Sequence, residues 1–355
     1  MPANVDNAHL AWLSQLCNAS VSDVKLIQSL WSGYGACFRA TLTSPTLACA
    51  PKGVQAKHAV VAKCATPPTV LNHPKGWNGD TSHQRKLASF AIENSFYQHL
   101  QPFTTEACKV PRCIASDTRD TDSLLVMEDL APLGYTKTRD ALSVKQAEVV
   151  LQWLGAFHGQ FLNVTDNITH QGINVWPEGS YWHLATRQDE FNNMPEGPLK
   201  DAAASIANCL SSATYQTLIH GDAKVANFCF TPDMSSYAAV DFQYVGFGVG
   251  VKDVAYFLGS ALTTQQRRLH GEACLDVYFQ ALKRALIYRR LFLIDGTTEH
   301  FPLSASQADA VEEQWRKLYC MACADFHRFL IGWSPQHWKI DDELNYQTEL
   351  ALAHL

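Results

Sequence analysis

The sequence predicts an α+β chain in two parts, a β-rich N-terminal lobe over residues 1–130 and a mostly helical C-terminal lobe over 131–355. Short β-branched runs punctuated by glycine and proline fill the first third. Apolar residues at three- and four-residue spacing dominate after Pro132. The length of 355 residues also points to about two lobes rather than one.

In chain order, residues 30–42 read as strand, glycine turn (Gly33, Gly35) and strand, and a loop rich in Pro, Thr and Ser follows over 43–55. Residues 58–65 (H-A-V-V-A-K-C-A) have the character of a buried strand, ended by Pro67 and Pro68. Over 84–100, Leu87, Phe90, Ala91, Asn94 and Tyr97 recur at helical intervals. Residues 124–127 form a short apolar strand that closes at Glu128-Asp129-Leu130-Ala131-Pro132. Residues 143–161 place Val150, Leu154, Phe157, His158 and Phe161 on one helix face. The runs Thr217-Leu218-Ile219 and Tyr237-Ala238-Ala239-Val240 frame a hairpin-like segment, and long amphipathic runs resume from Val251.

Composition narrows the function. Apolar residues at 47% and charged residues at 17% are globular values, and 28 Lys+Arg against 34 Asp+Glu leave a net charge of −6. That balance argues against a broad nucleic-acid footprint, which needs clustered excess Lys and Arg. No run reaches the roughly 18 apolar residues of a membrane span, and no signal peptide is expected from the opening residues. Eleven scattered cysteines, an odd number, suit reduced thiols in the cytoplasm better than a disulfide framework. The sequons at Asn18, Asn163 and Asn167 are then chance matches.

Chemistry concentrates in His220-Gly221-Asp222-Ala223-Lys224-Val225-Ala226-Asn227, followed by Val240-Asp241-Phe242-Gln243. Two carboxylates and a carboxamide on short loops suit phosphoryl transfer from ATP, which needs oxygen ligands for Mg²⁺ and a carboxylate to orient and deprotonate a hydroxyl. Asp222 is the candidate base, Asn227 and Asp241 the candidate metal ligands, and Lys224 a candidate neutraliser of charge on the transferred phosphate. The plainer alternative is that these acids are turn residues or helix caps. Upstream, in order, stand the glycine turn, Lys63 inside an apolar strand, Glu93 in a helical run, and Met127-Glu128-Asp129-Leu130. A lysine in a buried strand needs a counter-charge, and Glu93 or phosphates would supply it.

This ordered set resembles the protein-kinase-like fold in its small-molecule branch, the aminoglycoside phosphotransferases, choline kinases and ecdysteroid-kinase-like proteins. The resemblance runs from Trp31 to Leu258, with H-G-D marking the small-molecule branch. Leu154-Gly155-Ala156-Phe157-His158-Gly159, Ile92 to Tyr97, and Asp253 to Leu258 are similar to further segments of those families, the last two favouring the ecdysteroid-kinase-like side. The resemblance implies that Lys63, held by Glu93, contacts the α and β phosphates. It implies that Met127, Glu128, Asp129 and Leu130 form a hinge whose backbone binds adenine, with Gly33 and Gly35 near phosphate. His220 and Asp253 would brace the catalytic loop. The implied activity is an ATP- and Mg²⁺-dependent kinase acting on a choline-, aminoglycoside-, sugar- or steroid-like alcohol. A catalytically silent relative is the alternative, opposed by the retention of Lys63, Glu93, Asp222, Asn227 and Asp241. A protein kinase is disfavoured, because no A-P-E element follows Asp241. Here D-F-G reads Asp241-Phe242-Gln243, and the glycine turn lacks a third glycine.

Other signals have plainer readings. Cys320 and Cys323 with His327 share a helix face, yet their apolar surroundings favour core packing over zinc. The aromatics of residues 176–183, with Trp333 and Trp338, suit either packing or a pocket for a flat or cationic alcohol. Asp189, Glu190 and Asp325 are expected as solvated surface charges rather than contacts to an amine.

Overall fold

The first 30 residues carry no strand signal, yet they hold a helix and an edge strand. In the computed structural model, which describes residues 5–30, 33–44, 56–67, 80–292 and 298–355, these are α1 (Asn7–Cys17) and β1 (Ser20–Ser29). The chain divides into two compact units, Met1–Pro102 with Pro111–Tyr135, and Phe103–Val110 with Thr136–Leu355. Trp31, Ser32, residues 45–55 and Pro68 lie outside the described residues.

The first unit is built on one antiparallel sheet. β1, β2 (Gly35–Ser44), β3 (Ala56–Ala65), β4 (Cys113–Arg119) and β5 (Asp122–Glu128) pair in the order β1-β2-β3-β5-β4. The strand before the glycine turn is therefore Ser20–Ser29 rather than a run beginning at Leu30. Leu30 belongs to the turn, its amide donating to Gly35 O at 2.8 Å. β1 escapes pattern reading because its residues are almost all exposed, so no alternation was required of them. Along β3, Val60, Ala62 and Cys64 share one face. They pack with Phe38, Leu42, Leu124, Val126 and, from α1, Trp12 and Leu13. Lys63 consequently stands on the other face. Helix α2 (Asp80–Ser95) runs on into a π-helical turn, Phe96–Leu100, and buries Phe90, Asn94 and Tyr97 while Ala91 stays exposed.

The second unit is mostly helical. Helix α3 (Val144–Gln160) starts at a capping box: Ser143 Oγ accepts from Gln146 N at 3.3 Å and Gln146 Oε1 from Ser143 N at 3.0 Å. Short helices α4 (Thr165–His170), α5 (Gln188–Asn192), α6 (Pro198–Asp201) and α7 (Ala203–Ser211) follow. Then come β6 (Thr217–Ile219), β7 (Phe228–Phe230), β8 (Tyr237–Ala239) and β9 (Gly246–Gly248). The hairpin is β7 with β8, and β6 pairs with β9 around it. Helices α8 (Val251–Ala261), α9 (Thr264–Tyr288), α10 (Ala305–Trp333) and α11 (Asp342–Ala353) complete the unit, with the small pair β10 (Arg290–Phe292) and β11 (Thr298–His300) before α10.

Helix α3 lies tightly on α9 because Gly155 and Gly159 face it. A Cβ on Gly155 would meet Leu282 N and Tyr278 O, each at 2.7 Å. Gly155→Val should therefore cost about 1–3 kcal/mol through overpacking, read as a drop of several degrees in Tm. An unchanged Tm would show that the two helices can separate freely.

Candidate active site

In the sheet unit, β3 and α2 bring two oppositely charged side chains together. Lys63 Nζ lies 2.9 Å from Glu93 Oε1 and 2.7 Å from Oε2. With Lys63 8% exposed and Glu93 2%, the pair is a buried one. Its isolation from water makes each charge depend on the other. At the end of β5, Asp129 is held by Arg39 Nε at 2.9 and 3.2 Å, and Glu128 by Arg112 at 3.0 Å. The Glu128 amide donates to Arg112 O and that of Asp129 to Ala59 O. The buried Leu130 amide meets no acceptor among the described residues. In the turn, Gly33 and Gly35 take φ of +76° and +135°, where a side chain is strained. A cavity of about 540 Å³ beside Glu128 and Asp129 is lined by Leu42 and Val60. It therefore opens on the α1 face of the sheet, opposite Lys63.

In the helical unit, one buried carboxylate organises the H-G-D loop. Asp253, fully buried near the start of α8, accepts from the amides of His220 at 2.6 Å and Gly221 at 3.0 Å. It also accepts from His158 Nε2 at 3.1 Å, which leaves His158 Nδ1 to accept from the Tyr278 hydroxyl at 2.8 Å. His220 donates Nε2–H to Val240 O at 3.0 Å and accepts the Asp222 amide on Nδ1 at 3.2 Å. Gly221 sits at φ +79° with Tyr244 O where a Cβ would be, so the loop turns there only with glycine.

Asp222 is 7% exposed. Its Oδ2 accepts from Lys224 Nζ at 2.8 Å and Asn227 Nδ2 at 3.1 Å. Its Oδ1 is buried with no hydrogen-bond partner among the described residues. Burial pulls the Lys224 ammonium toward neutrality, but Asp222 and Asp241 outweigh it and raise its pKa. Asn227 Nδ2 also donates to Asp222 O at 2.8 Å, so Oδ1 is the lone-pair donor that this carboxamide has left. Asp241 takes φ +71°, a left-handed conformation that few non-glycine residues adopt and that tends to mark functional sites. The carboxamide and carboxylate oxygens of Asn227 and Asp241 are hard donors of the kind Mg²⁺ takes, with waters and phosphate completing the shell.

The family model described as "Phosphotransferase enzyme family" matches residues 80–291, more than half of the chain. The chain belongs to this phosphotransferase family. No curated protein matches the sequence. Among solved structures, this phosphotransferase is similar to a choline kinase from Streptococcus pneumoniae (13% identity, 97% of each chain, TM-score 0.46). It is also similar to a choline/ethanolamine kinase family protein from Mesorhizobium loti (13%, 97% of this chain and 96% of that one, 0.44). A third is an aminoglycoside phosphotransferase from Streptomyces rimosus in complex with ADP and streptomycin (12%, 76% and 92%, 0.39). The matched span includes Glu93 and the whole H-G-D loop; Lys63, Gly33 and Gly35 precede it.

Several expectations need correction. Glu190 and Asp325 are not solvated: Glu190 is 2% exposed and pairs with Arg187 at 3.0 Å. Asp325 is 1% exposed and pairs with Arg328 at 2.8 Å and Lys252 at 3.4 Å. Arg187 and Arg328 stand three residues from Glu190 and Asp325, a spacing that was open to reading, whereas Lys252 reaches Asp325 only through tertiary packing. Asp189 is exposed as expected. Trp182 is core, packed with Tyr256, Phe326 and Phe329, whereas Trp338 is 69% exposed. Cys320 and Cys323 are buried, burial pushes the Cys323 thiol up to about 12, and His327 is hydrogen-bonded to Thr348. No cluster of three metal-ligating side chains occurs among the described residues. Sequence reading weighed Tyr181 only among the aromatics of 176–183 and gave Tyr256 no role of its own; their hydroxyls lie 3.3 Å apart. Both have raised pKa values, chiefly from burial, with the charge of Asp222 adding to it. Tyr256 falls one helical turn after Asp253, the one signal that pointed to it.

The Lys63–Glu93 pair yields a direct test. Lys63→Met should cost about 3–5 kcal/mol by breaking a buried ion pair of Glu93, and the Lys63→Met/Glu93→Leu double variant should recover part of that in denaturant melts. A double variant less stable than Lys63→Met would contradict the pairing.

Proposed function

We propose that this phosphotransferase moves the γ-phosphate of ATP, with Mg²⁺, to a hydroxyl of a small molecule. The observation that carries the reading is Asp222. One oxygen is saturated by Lys224 and Asn227; the other is buried and makes no hydrogen bond among the described residues, with the Tyr256 hydroxyl beside the carboxylate. A buried acceptor oxygen without a partner is costly, and an alcohol hydroxyl is the donor that would satisfy it. Asp222 Oδ1 would orient that hydroxyl and accept its proton as the new O–P bond forms. Lys224, on the neighbouring oxygen, would shift toward the phosphoryl group as charge grows there.

Asn227 Oδ1 and Asp241 would hold the metal, which when bound neutralises phosphate charge. Lys63, braced by Glu93, would contact the α and β phosphates, and the Leu130 amide would bond adenine. Gly33 and Gly35 allow backbone to approach phosphate. The platform for a peptide substrate is short, because β9 ends at Gly248 and α8 begins at Val251. We assign the enzyme to the cytoplasm, a compartment that suits the free thiols of its described cysteines. Among the described residues, no helix is long and apolar enough to cross a membrane.

Asp222→Asn tests the base assignment. ADP release with an accepted alcohol should fall by about 10²–10⁴-fold, the usual contribution of a general base, while nucleotide affinity stays within a few-fold. Turnover equal to wild type would remove Asp222 from that role.

A further inference from the structure

Residues 334–340, between α10 and α11, carry Lys339 to the surroundings of Asp222. Lys339 Nζ stands 4.4 Å from the ring centroid of Tyr256, 5.5 Å from that of Trp338 and 5.7 Å from that of Phe326. Tyr256 is the ring whose hydroxyl meets Tyr181 and senses the charge of Asp222. Asp222 is also the chief charge acting on Lys339, opposed by Lys224 and Arg267. Tyr256, beneath Lys339 and with its hydroxyl beside the Asp222 carboxylate, links the two.

The cations there differ in one respect. Lys224 holds a carboxylate oxygen of Asp222, and Arg267 holds Asp341. Lys339 Nζ has no ion pair or hydrogen-bond acceptor among the described residues and stands over aromatic faces. Ring faces attract a cation, but they replace neither a counter-charge nor hydrogen bonds. Burial consequently pulls the Lys339 pKa down to about 8.

Resting on the phosphotransferase reading above, we propose that Lys339 selects the acceptor. The alcohol phosphorylated here carries an anionic group, carboxylate or phosphate ester, that pairs with Lys339 while its hydroxyl meets Asp222. The same placement excludes quaternary-ammonium alcohols. The aromatic face that would receive such a group already holds this chain's own ammonium, and a second cation there meets like-charge repulsion. Choline-like acceptors are therefore disfavoured by an element built into the fold.

The test is calorimetric titration at saturating Mg·ADP of gluconate, glycerol 3-phosphate and tetramethylammonium into wild type, Lys339→Ala and Lys339→Gln. Wild type should bind at least one of the two anions, gluconate marking a carboxylate and glycerol 3-phosphate a phosphate ester, and should not bind tetramethylammonium. Both variants should bind that anion at least tenfold more weakly, and Lys339→Ala should gain tetramethylammonium. Two variants keep the comparison available if one folds poorly. Wild type that binds neither anion, or prefers tetramethylammonium, would overturn the proposal, as would variants that match wild type. Failure of wild type to bind Mg·ADP would instead sink the phosphotransferase reading itself, before Lys339 is tested.

Discussion

The carboxylate of Asp253 is the constraint on which the helical unit's chemistry depends. It is fully buried and accepts from two consecutive backbone amides of the H-G-D loop and from His158. Buried carboxylates survive only where such donors compensate desolvation. Through His158 and Tyr278 the same carboxylate connects the loop to α3 and α9, which pack closely at Gly155 and Gly159. The loop thus inherits the rigidity of a packed helix pair. That rigidity fixes Gly221 in its left-handed turn and sets where the Asp222 side chain emerges.

From that anchor the electrostatics follow. Asp222 divides its two oxygens between a saturated side, facing Lys224 and Asn227, and an unsatisfied one. Preorganised charges of this kind act without reorganisation at the moment of reaction, which is where their value in catalysis lies. In the sheet unit, Lys63 and Glu93 are a buried pair, the strand fixed by its core with α1 and the helix by Phe90 and Leu87 packed on Leu30, Tyr34 and Ala65. Each unit therefore orients its charged groups by internal packing, and the proposed function uses both sets.

Much of this was legible in the sequence because the chemistry is local. His220 to Asn227 sit in one loop, and their spacing announced carboxylate, lysine and carboxamide together. Lys63 stood out because a cation interrupting an apolar strand requires a counter-charge, and Glu93 proved to be that charge. Strand β1 was illegible because exposure on both faces imposes no alternation. Asp325 read as a surface acid because part of its charge is matched by Lys252, brought close only in the fold; Glu190 is buried although its partner Arg187 is three residues away. Lys339 had no signal at all. Its meaning comes from Tyr256 and Asp222, far from it in sequence.

The account stands or falls on a nucleotide and metal site at Asp241. Calorimetric titration of Mg·ATP into wild type and Asp241→Asn tests it most directly. Saturable binding by wild type that weakens at least tenfold in the variant is the predicted result. Absence of binding by wild type, or equal affinity in the two proteins, would contradict it.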